Sequence, residues 1–256
     1  MSWPLPQSAN DLLGLAYGYP FAAPNQGFLL RDGVINPLEE ACFNDRIPVL
    51  AHGSNRAPSQ LARKFPEGEI PVTRRGLRDF TVVYAACLTR YGACPSLLLP
   101  CPGSRVRLAL TWLTRDQLKV MHLTEGSYGF GDLTADYEAE EGPSVDHFYL
   151  YHSPHGALLL DGEPRCLAAV EAYGKITWPR LAQKQMLSAI QRLLGIEGSL
   201  DDFALGVIRD PTERRRLIRR LGDHSRDSAL PGFRPVEELA FLPFGAAVKD
   251  RIPATP

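Results

Sequence analysis

The central part of the chain has the hydrophobic pattern of β-strands. A short apolar run at residues 47–51 ends in the turn-forming residues His-Gly-Ser-Asn, which predicts a buried strand that leads into a loop. Residues 79–85 are rich in β-branched and aromatic side chains, and residues 106–112 are apolar at every second position, so both segments are predicted strands. Two further apolar runs, at 148–151 and 157–160, flank a Ser-Pro-His-Gly turn and predict a β-hairpin.

Two short helices are predicted between these strands. Pro58 is at a position where a first helical turn tolerates proline, and two apolar side chains four residues apart follow it, so a helix is expected over about 58–65. Thr114 and Gln117 fit a capping box that precedes an apolar helix face. We expect that helix to end near His122 and to be followed by a loop that carries Glu125.

Beyond about residue 173 the pattern becomes helical. The apolar side chains of residues 187–194 share one face of a helix that we expect to follow a cap at Thr177 and to end at Gly195. Further helices are predicted after Ser199 and, rich in arginine, after Pro211. The proline-containing chain from residue 231 onward is expected to be extended.

The domain organisation follows from these patterns. Prolines at positions 4, 6, 20, 24 and 37 predict an arm with one helical turn after Asn10 or Asp11. We therefore expect a proline-rich N-terminal arm at residues 1–45, a central domain at 46–173, and a mainly helical C-terminal extension at 174–256 that packs on the central domain.

The composition and net charge of the chain disfavour several classes of protein. The chain has 256 residues, of which 45% are hydrophobic and 22% charged, enough for a substantial core. Its 28 Lys and Arg against 29 Asp and Glu leave a net charge of -1, so overall charge does not favour binding to nucleic acid or to an anionic membrane. Apolar runs are too short for a membrane span, and the first basic residue is at position 31, so we expect neither a span nor a secretory leader.

The cysteines point to a reducing compartment. The chain has 5 cysteines and no Cys-x-x-Cys pair, a pattern typical of free thiols rather than of a disulfide framework or a zinc site. We therefore expect a cytoplasmic location.

The loop at residues 52–55, after the strand predicted at 47–51, is the first candidate functional site. Its backbone N–H groups can converge at a helix N-terminus, where a carboxylate or another anion is stabilised. The alternative is a plain strand-to-helix turn in which Gly53 supplies an unusual dihedral angle and Ser54 or Asn55 caps the helix. A P-loop is excluded because the Gly-Lys-Ser/Thr ending is missing.

Glu125 is the second candidate. It follows an apolar-faced helix and has Tyr128 and Phe130 close by in sequence, so its carboxyl is expected to be poorly hydrated. Poor hydration raises a carboxyl pKa and suits the group to proton transfer near neutral pH. The alternative is an ordinary solvated loop residue.

Three segments together resemble a known family. The stretch VLAHGSNRAPSQLARKF is similar to the Tyr-Gly-Ser-Asn loop and following helix of the γ-glutamylcyclotransferase-like proteins. RRGLRDFTVVY resembles the family's Arg-x-Leu-x-x-Phe segment, and PGSRVRLALTWLTRDQLKVMHLTEG resembles its succession of Pro-Gly, strand, Trp, helix and Glu-Gly. The resemblance covers about residues 47–165.

The resemblance implies an α+β fold, with a small mixed β-barrel, flanking helices and a cavity for a γ-glutamyl group. It also implies an enzyme of the amide-lyase or acyltransferase class that needs no metal or organic cofactor. The substrate would be a γ-glutamyl amine, amide or peptide, whose α-amine attacks its own γ-carbonyl to release 5-oxoproline and the free amine. In this comparison Glu125 matches the catalytic carboxylate; the substrate-binding residues are expected to be His52, Gly53, Ser54, Asn55, Arg56 and Tyr128.

Two features depart from the family pattern. His52 replaces the usual Tyr before Gly-Ser-Asn, and residues 91–96 occupy the place of a Gly-rich turn and apolar strand. His52 is expected to be either a packed neutral ring or a second proton carrier.

Other functions remain open at this point. One is a non-catalytic binding or assembly module on the same fold, and another is an amide hydrolase or acyltransferase that uses the same cavity. A serine hydrolase is disfavoured because no Gly-x-Ser-x-Gly elbow occurs. Cys94 or Cys101 near a histidine could act as a nucleophile, although nothing marks either thiol as activated.

Two charged segments can each be interpreted either as a solvated surface or as a functional site. The acidic residues at 132–147 form either a solvated loop or a cation site, and their spacing fits no EF-hand. The arginines at 209–220 form either the solvated face of an amphipathic helix or a surface for an anionic partner.

Overall fold

A computed structural model of the chain describes residues 4–126 and 128–236. Short 3₁₀ turns occur at Glu40–Phe43 and Ser54–Arg56. The α-helices of the described residues are α1 (Ala9–Gly18), α2 (Pro58–Lys64), α3 (Arg115–Thr124), α4 (Gln183–Leu193), α5 (Leu200–Arg209) and α6 (Pro211–Gly222).

Strands make up most of the centre of the molecule. They are β1 (Phe28–Arg31), β2 (Val34–Asn36), β3 (Ile47–Ala51), β4 (Glu69–Tyr84), β5 (Ser96–Leu113), β6 (Gly129–Leu133), β7 (Tyr137–Ala139), β8 (Phe148–His152), β9 (Ala157–Leu160), β10 (Glu163–Pro164), β11 (Cys166–Leu167), β12 (Ala172–Gly174), β13 (Arg180–Leu181), β14 (Ser225–Arg226) and β15 (Phe233–Pro235).

Twelve strands form one large mixed sheet. Its main order is β13-β11-β4-β5-β3-β8-β6-β15. In addition, β1 and β7 pair with β4, β12 pairs with β5, and β2 pairs with β1. The β3–β8 and β11–β13 pairs are parallel and the other pairs antiparallel. A second, three-stranded sheet has the order β10-β9-β14.

The expected α+β class is confirmed, but the expected closed barrel is wrong. Closing a sheet requires its first and last strands to pair. In the described residues, β13 has only two residues and pairs with β11, while β15 pairs with β6 at the other end. The sheet is therefore open.

The longest strands of the sheet are β4 and β5, which pair with each other and have 16 and 18 residues. The strand predicted at 106–112 lies within β5, and the strand predicted at 79–85 overlaps the end of β4 and extends one residue past it; both predictions are much shorter than the observed strands. The first half of β4 was missed because it contains Arg74 and Arg75, which are buried although their residue type is usually exposed. The register shifts between Arg78 and Phe80, where Asp79 has a φ of 60°.

The predicted hairpin of residues 148–151 and 157–160 is wrong. Both strands exist, but β8 pairs with β3 and β6, whereas β9 pairs with β10 and β14 in the other sheet. Asp161 and Gly162, both with positive φ, instead connect β9 to β10. Asp-Gly is a strong signal for a two-residue hairpin turn, and it outweighs the Ser-Pro-His-Gly segment.

Most predicted helix boundaries are confirmed. The capping box of Thr114 and Gln117 is present, and α3 continues to Thr124, two residues beyond the expected end. Helices follow Ser199, whose side chain caps α5, and Pro211, at the start of α6. In contrast, α1 has ten residues rather than one turn.

The predicted start of α4 is wrong. The helix begins at Gln183 rather than after Thr177, because the intervening Arg180 and Leu181 form a strand paired with β11. Gly195 has a φ of 60° and follows the end of α4, as expected for a helix-ending glycine.

One hydrophobic cluster joins helix α1 and the helices α4, α5 and α6 to the sheet. It includes Leu12 of α1, Leu110 of β5 and Phe203 of α5. Helix α1 thereby holds Tyr19, its C-cap, in a buried position with 6% exposure. All five cysteines are free, which confirms the expected thiols. In the described ranges, no helix has both the length and the apolar character of a membrane span.

Candidate active site

Glu125 is positioned by the end of helix α3. It is the C-cap residue, and its backbone N–H donates to the carbonyl oxygens of Met121 at 3.1 Å and His122 at 3.2 Å. Helix α3 is itself held by Leu118 and Met121, both fully buried in a second hydrophobic cluster. The backbone at Glu125 is therefore fixed by packing.

The Glu125 carboxyl faces the loop after β3. Its Oε1 accepts hydrogen bonds from the Asn55 side-chain amide at 3.1 Å and from the Lys64 ammonium at 2.8 Å. Lys64 also donates to Asn55 Oδ1 at 2.6 Å, so the three side chains form a closed triangle. Only 15% of the Glu125 side chain and 10% of the Lys64 side chain are exposed. The alternative of a solvated loop carboxyl is therefore wrong.

The expected upward shift of the Glu125 pKa is also wrong. Burial alone raises the pKa of this carboxyl, but the positive charge of Lys64 and the hydrogen bonds from Lys64 and Asn55 outweigh burial and hold the pKa below its usual range. The sequence gives no sign that Lys64, nine residues after Asn55, reaches the carboxyl. At neutral pH the group is ionised and can accept a proton.

His52 is a packed neutral ring. Its Nε2 lies 3.2 Å from the Tyr151 carbonyl oxygen, which can only accept, so Nε2 carries the proton. Its Nδ1, 2.9 Å from Ser96 Oγ, then accepts from that hydroxyl. Burial is the main reason that the pKa of His52 is lowered to about 4. This supports the packed ring rather than the second proton carrier.

Tyr19 and Ser96 pack directly against the loop at Gly53. The Tyr19 hydroxyl donates to Ser96 Oγ at 2.6 Å and accepts from the Ser96 backbone N–H at 2.8 Å. A Cβ atom at Gly53 would lie only 2.4 Å from the Tyr19 hydroxyl oxygen. Gly53 has a φ of -121°, so glycine is required here for close approach and not for left-handed backbone.

The following loop residues do not cap helix α2. Ser54, Asn55 and Arg56 form a 3₁₀ turn, and the N-cap residue Ala57 makes no side-chain capping bond. The expected cap by Ser54 or Asn55 is therefore wrong, because the Asn55 side chain is committed to Glu125. Arg56 instead donates from Nη2 to the Ala169 carbonyl oxygen at 2.7 Å.

The negative charge of Glu125 acts on four largely buried phenol side chains. Tyr128, whose backbone N–H donates to the Glu125 carbonyl oxygen at 2.9 Å, has its pKa raised mainly by burial. The same holds for Tyr19, Tyr91 and Tyr151, and in all four the negative charge of Glu125 adds to the effect. The raised pKa values of these phenols indicate that the environment of Glu125 is weakly hydrated.

Several of these residues were not identified from the sequence. Lys64, Ser96, Tyr19, Tyr91 and Tyr151 come from four separate segments, and only the tertiary fold brings them to the site. The fold brings together five of the residues expected at the site: His52, Gly53, Asn55, Glu125 and Tyr128. Their roles in substrate binding and catalysis remain predictions.

The other candidate groups are engaged elsewhere. Cys94 donates to the Ala85 carbonyl oxygen, and burial raises the pKa of its thiol well above the ordinary value, so it is not an activated nucleophile. Part of the acidic segment is strand β7, and its charges pair with arginines, for example Glu138 with Arg78 at 2.6 Å. In the part of the chain that the structure describes, no group of His, Cys, Asp and Glu side chains is arranged to hold a metal ion.

Two surface depressions lie away from Glu125. One, of about 420 Å³, is lined by Arg105, Arg107, Glu140 and Tyr173. The other, of about 450 Å³, is lined by Leu181, Lys184, Gln185, Ser188, Ala189, Arg192 and Leu200. Glu125 lines neither of these two depressions.

Comparison with known proteins gives matches only among solved structures. No family model matches the chain. No curated protein matches it.

Similar solved structures include a γ-glutamyl cyclotransferase, which is 13% identical, with 80% of this chain and 99% of that chain covered and a TM-score of 0.36. An uncharacterized protein from Homo sapiens is 12% identical, with 81% and 98% covered and a TM-score of 0.37. A protein from Arabidopsis thaliana is 18% identical, with 43% and 70% covered and a TM-score of 0.34. One of these similar structures thus carries the name of the family that the sequence resembles.

Proposed function

We propose that this chain is a γ-glutamylcyclotransferase-like enzyme that releases 5-oxoproline and a free amine from a γ-glutamyl amine, amide or peptide. The observation that supports this function is the orientation of one buried carboxylate. Glu125 directs its carboxyl at Asn55, within the loop that the resemblance assigns to glutamyl binding, and keeps it largely out of solvent.

The chemistry needs one proton acceptor. The substrate's α-amine attacks its γ-carbonyl carbon, a lactam C–N bond forms, and the bond to the leaving amine breaks. The substrate ammonium loses two protons as it becomes the lactam N–H, and the leaving nitrogen gains two as it becomes the free ammonium, so no net proton is consumed. Because nucleophile and electrophile belong to one molecule, a site that holds the reactive curl gains effective molarities of about 10⁵–10⁸ M.

The lowered pKa of Glu125 defines its role. As a carboxylate at neutral pH, it can hold the substrate ammonium and accept its proton. An α-amine has an ordinary pKa of about 8, and each unit of mismatch with the base costs about 1.36 kcal/mol. We therefore expect the rate to increase with pH toward the pKa of the amine, with no inactivation between about pH 5 and 7 from protonation of Glu125.

The neutral His52 ring forms a wall of the proposed site rather than a proton relay. Its two ring nitrogens are occupied by Ser96 and Tyr151, so neither is free to exchange a proton with a substrate. The arm contributes Tyr19 to the same wall.

A second candidate function is a non-catalytic binding or assembly module. The closed triangle of Lys64, Asn55 and Glu125 favours it, because the triangle neutralises the carboxylate within the protein itself. An amide hydrolase or acyltransferase that uses the same carboxylate is a third candidate.

Product analysis separates these candidates. Purified full-length protein is incubated with γ-glutamylalanine, γ-glutamylmethylamide and γ-glutamylcysteine, and the products are identified by mass spectrometry. Cyclotransfer gives 5-oxoproline with no water added to the total mass, whereas hydrolysis gives glutamate with one water added. The proposed reaction requires 5-oxoproline as the enzyme-dependent product. Glutamate alone would support the hydrolase, and no enzyme-dependent product would support the binding module.

A further inference from the structure

The N-terminal arm reaches the candidate active site through one side chain. Tyr19, the C-cap residue of α1, is 6% exposed, and Ser96, at the start of β5, is 2% exposed. The oxygen atoms of both hydroxyl groups lie so close to Gly53 that no Cβ atom would fit there. Two buried hydroxyls from distant segments therefore lie directly against the backbone of the loop after β3.

A continuous chain of hydrogen bonds joins these hydroxyls to His52. The Tyr19 hydroxyl accepts from the Ser96 backbone N–H at 2.8 Å and donates to Ser96 Oγ at 2.6 Å. The Ser96 hydroxyl in turn donates to His52 Nδ1 at 2.9 Å, and His52 Nε2 donates to the Tyr151 carbonyl oxygen at 3.2 Å. The backbone N–H at one end can only donate and the carbonyl at the other end can only accept, so the direction of every bond is fixed.

Both hydroxyls of this chain are fully used. Each donates its single proton to one neighbour and accepts one hydrogen bond from another. Burial raises the pKa of Tyr19 to about 12, so its hydroxyl keeps the proton that it donates. Removal of either hydroxyl would leave a buried polar group without its partner, which is more costly than the loss of an exposed hydrogen bond.

Helix α1 holds Tyr19 from the side opposite the loop. Two residues earlier in the chain, the Tyr17 hydroxyl donates to Asp201 of α5 at 2.6 Å, and the Lys184 ammonium of α4 lies 4.9 Å from the centroid of the Tyr17 ring. Leu12 of α1 is buried in the same hydrophobic cluster as residues of α4 and α5. The position of the Tyr19 hydroxyl is therefore set by the packing of α1 on the C-terminal helices and not by the loop alone.

The other end of the loop contacts the carboxylate. His52 and Gly53 begin the loop, and the Asn55 side chain donates to Glu125 Oε1 at 3.1 Å. A shift of the loop at Gly53 would therefore move the Asn55 amide relative to the Glu125 carboxyl. A displacement of about 1 Å in an active site can lower a rate by about 10²-fold.

We propose that Tyr19 is a positioning residue of the candidate active site, which acts through Ser96 to hold the loop at His52 and Gly53 in its reactive position. This inference rests on the proposed function and adds to it that the N-terminal arm is part of the site. A purely structural role of the Tyr19 hydroxyl is the alternative that the following experiments separate from it.

Amide hydrogen exchange tests the hold on the loop without a substrate. Exchange is measured by NMR on the full-length wild type, Tyr19→Phe and Ser96→Ala, two variants that interrupt the chain of hydrogen bonds at different atoms. Loss of about one buried hydrogen bond should make exchange at residues 53–55 about 2–10-fold faster in both variants.

Tyr137→Phe is the matched control for these variants. The Tyr137 hydroxyl donates to the Val145 carbonyl oxygen at 2.6 Å and accepts from the Val145 backbone N–H at 2.7 Å, so it has the same bonding roles as the Tyr19 hydroxyl. It belongs to β7, and none of its hydrogen bonds in the described residues involves the loop. Tyr137→Phe should therefore leave exchange at residues 53–55 at the wild-type rate.

Turnover tests whether the position of the loop matters for the reaction. The kcat/KM for release of 5-oxoproline should fall by about 10–100-fold in Tyr19→Phe and in Ser96→Ala, and it should be unchanged in Tyr137→Phe. Because Tyr19 acts through Ser96, the double variant should be no slower than the slower single variant. Two independent contributions would instead multiply, and that result would contradict action through Ser96.

The results separate the positioning role from the proposed function. Faster loop exchange in both variants, without any release of 5-oxoproline by the wild type, would support the hold of Tyr19 on the loop and contradict the proposed function. Release of 5-oxoproline with kcat/KM unchanged in Tyr19→Phe would overturn the positioning role alone. A lower Tm of Tyr19→Phe with loop exchange at the wild-type rate would also overturn it. If one of the two variants does not fold, the other interrupts the same chain and gives the same comparison.

Discussion

The ion pair between Lys64 and Glu125 allows a quantitative prediction. The Lys64→Met variant removes the ammonium 2.8 Å from a carboxyl oxygen, while the remaining side chain keeps a similar length. The two side chains are 10% and 15% exposed, so the pair is largely desolvated. Removing one partner of a buried pair typically costs about 3–5 kcal/mol, because the other charge is left without compensation.

This cost should be visible as a lower melting temperature. For a domain of 150–250 residues, 1 kcal/mol corresponds to about 2–4 °C, so the Tm of Lys64→Met is expected to decrease by about 6–20 °C at pH 7. Lys119→Met is the matched control, because Lys119 forms a 2.6 Å ion pair with Asp116 at sites that are 42% and 88% exposed. Such a surface pair contributes about 0–1 kcal/mol.

The effect should depend on pH in one direction. The folded-state pKa of Glu125 is below its ordinary value, so the ion pair stabilises the protein above the unfolded pKa of about 4.3 and loses this contribution as pH falls through the folded-state pKa. The difference in Tm between the wild type and Lys64→Met should therefore decrease below about pH 4. A Tm for Lys64→Met within about 1 °C of that of Lys119→Met at pH 7 would refute the buried ion pair.

Three further predictions concern the surroundings of the site. Gly53→Ala places a methyl group 2.4 Å from the Tyr19 hydroxyl oxygen and 2.6 Å from Ser96 Oγ, and should cost about 1–3 kcal/mol by chemical denaturation; an equal cost in a background with both Tyr19→Phe and Ser96→Gly would argue against these contacts. His52 should titrate with a pKa of about 4 in an NMR experiment, and protonation at pH 6–7 would contradict the neutral buried ring. Ser199→Ala removes the cap of α5 and should cost about 1 kcal/mol, whereas an unchanged denaturation midpoint would show that the cap is dispensable.

The sequence predicts local structure well where a single segment contains the whole signal. The capping box at Thr114, the cap at Ser199 and the strand at 47–51 each depend on neighbouring residues, and all three are observed. Pairing between distant segments is different. The position of β9 in the second sheet follows from its pairing with β10 and β14, of which only the turn at Asp161 has a local signal.

In the candidate active site, too, local features could be predicted from the sequence and contacts between distant segments could not. The loop and Glu125 could be identified because their residue types and spacing resemble those of a family, and the structure joins them through a direct hydrogen bond. The charge state of Glu125 could not be predicted, because it depends on Lys64. This lysine lies in helix α2, and nothing in the sequence of that helix marks it as functional. The buried Arg74 interrupts the apolar pattern of β4, which explains why the first half of this strand could not be predicted.

In the proposed reaction, the Glu125 carboxylate accepts the proton of the substrate amine. This role is tested most directly by kcat/KM for 5-oxoproline release, measured at pH 7 with the best γ-glutamyl substrate, for the wild type, Glu125→Gln and Asp116→Asn. Asp116 is an exposed carboxyl on the same helix and serves as the control. We expect Glu125→Gln to lower kcat/KM by about 10²–10⁴-fold while Asp116→Asn leaves it unchanged. Equal kcat/KM for Glu125→Gln and the wild type would contradict this role.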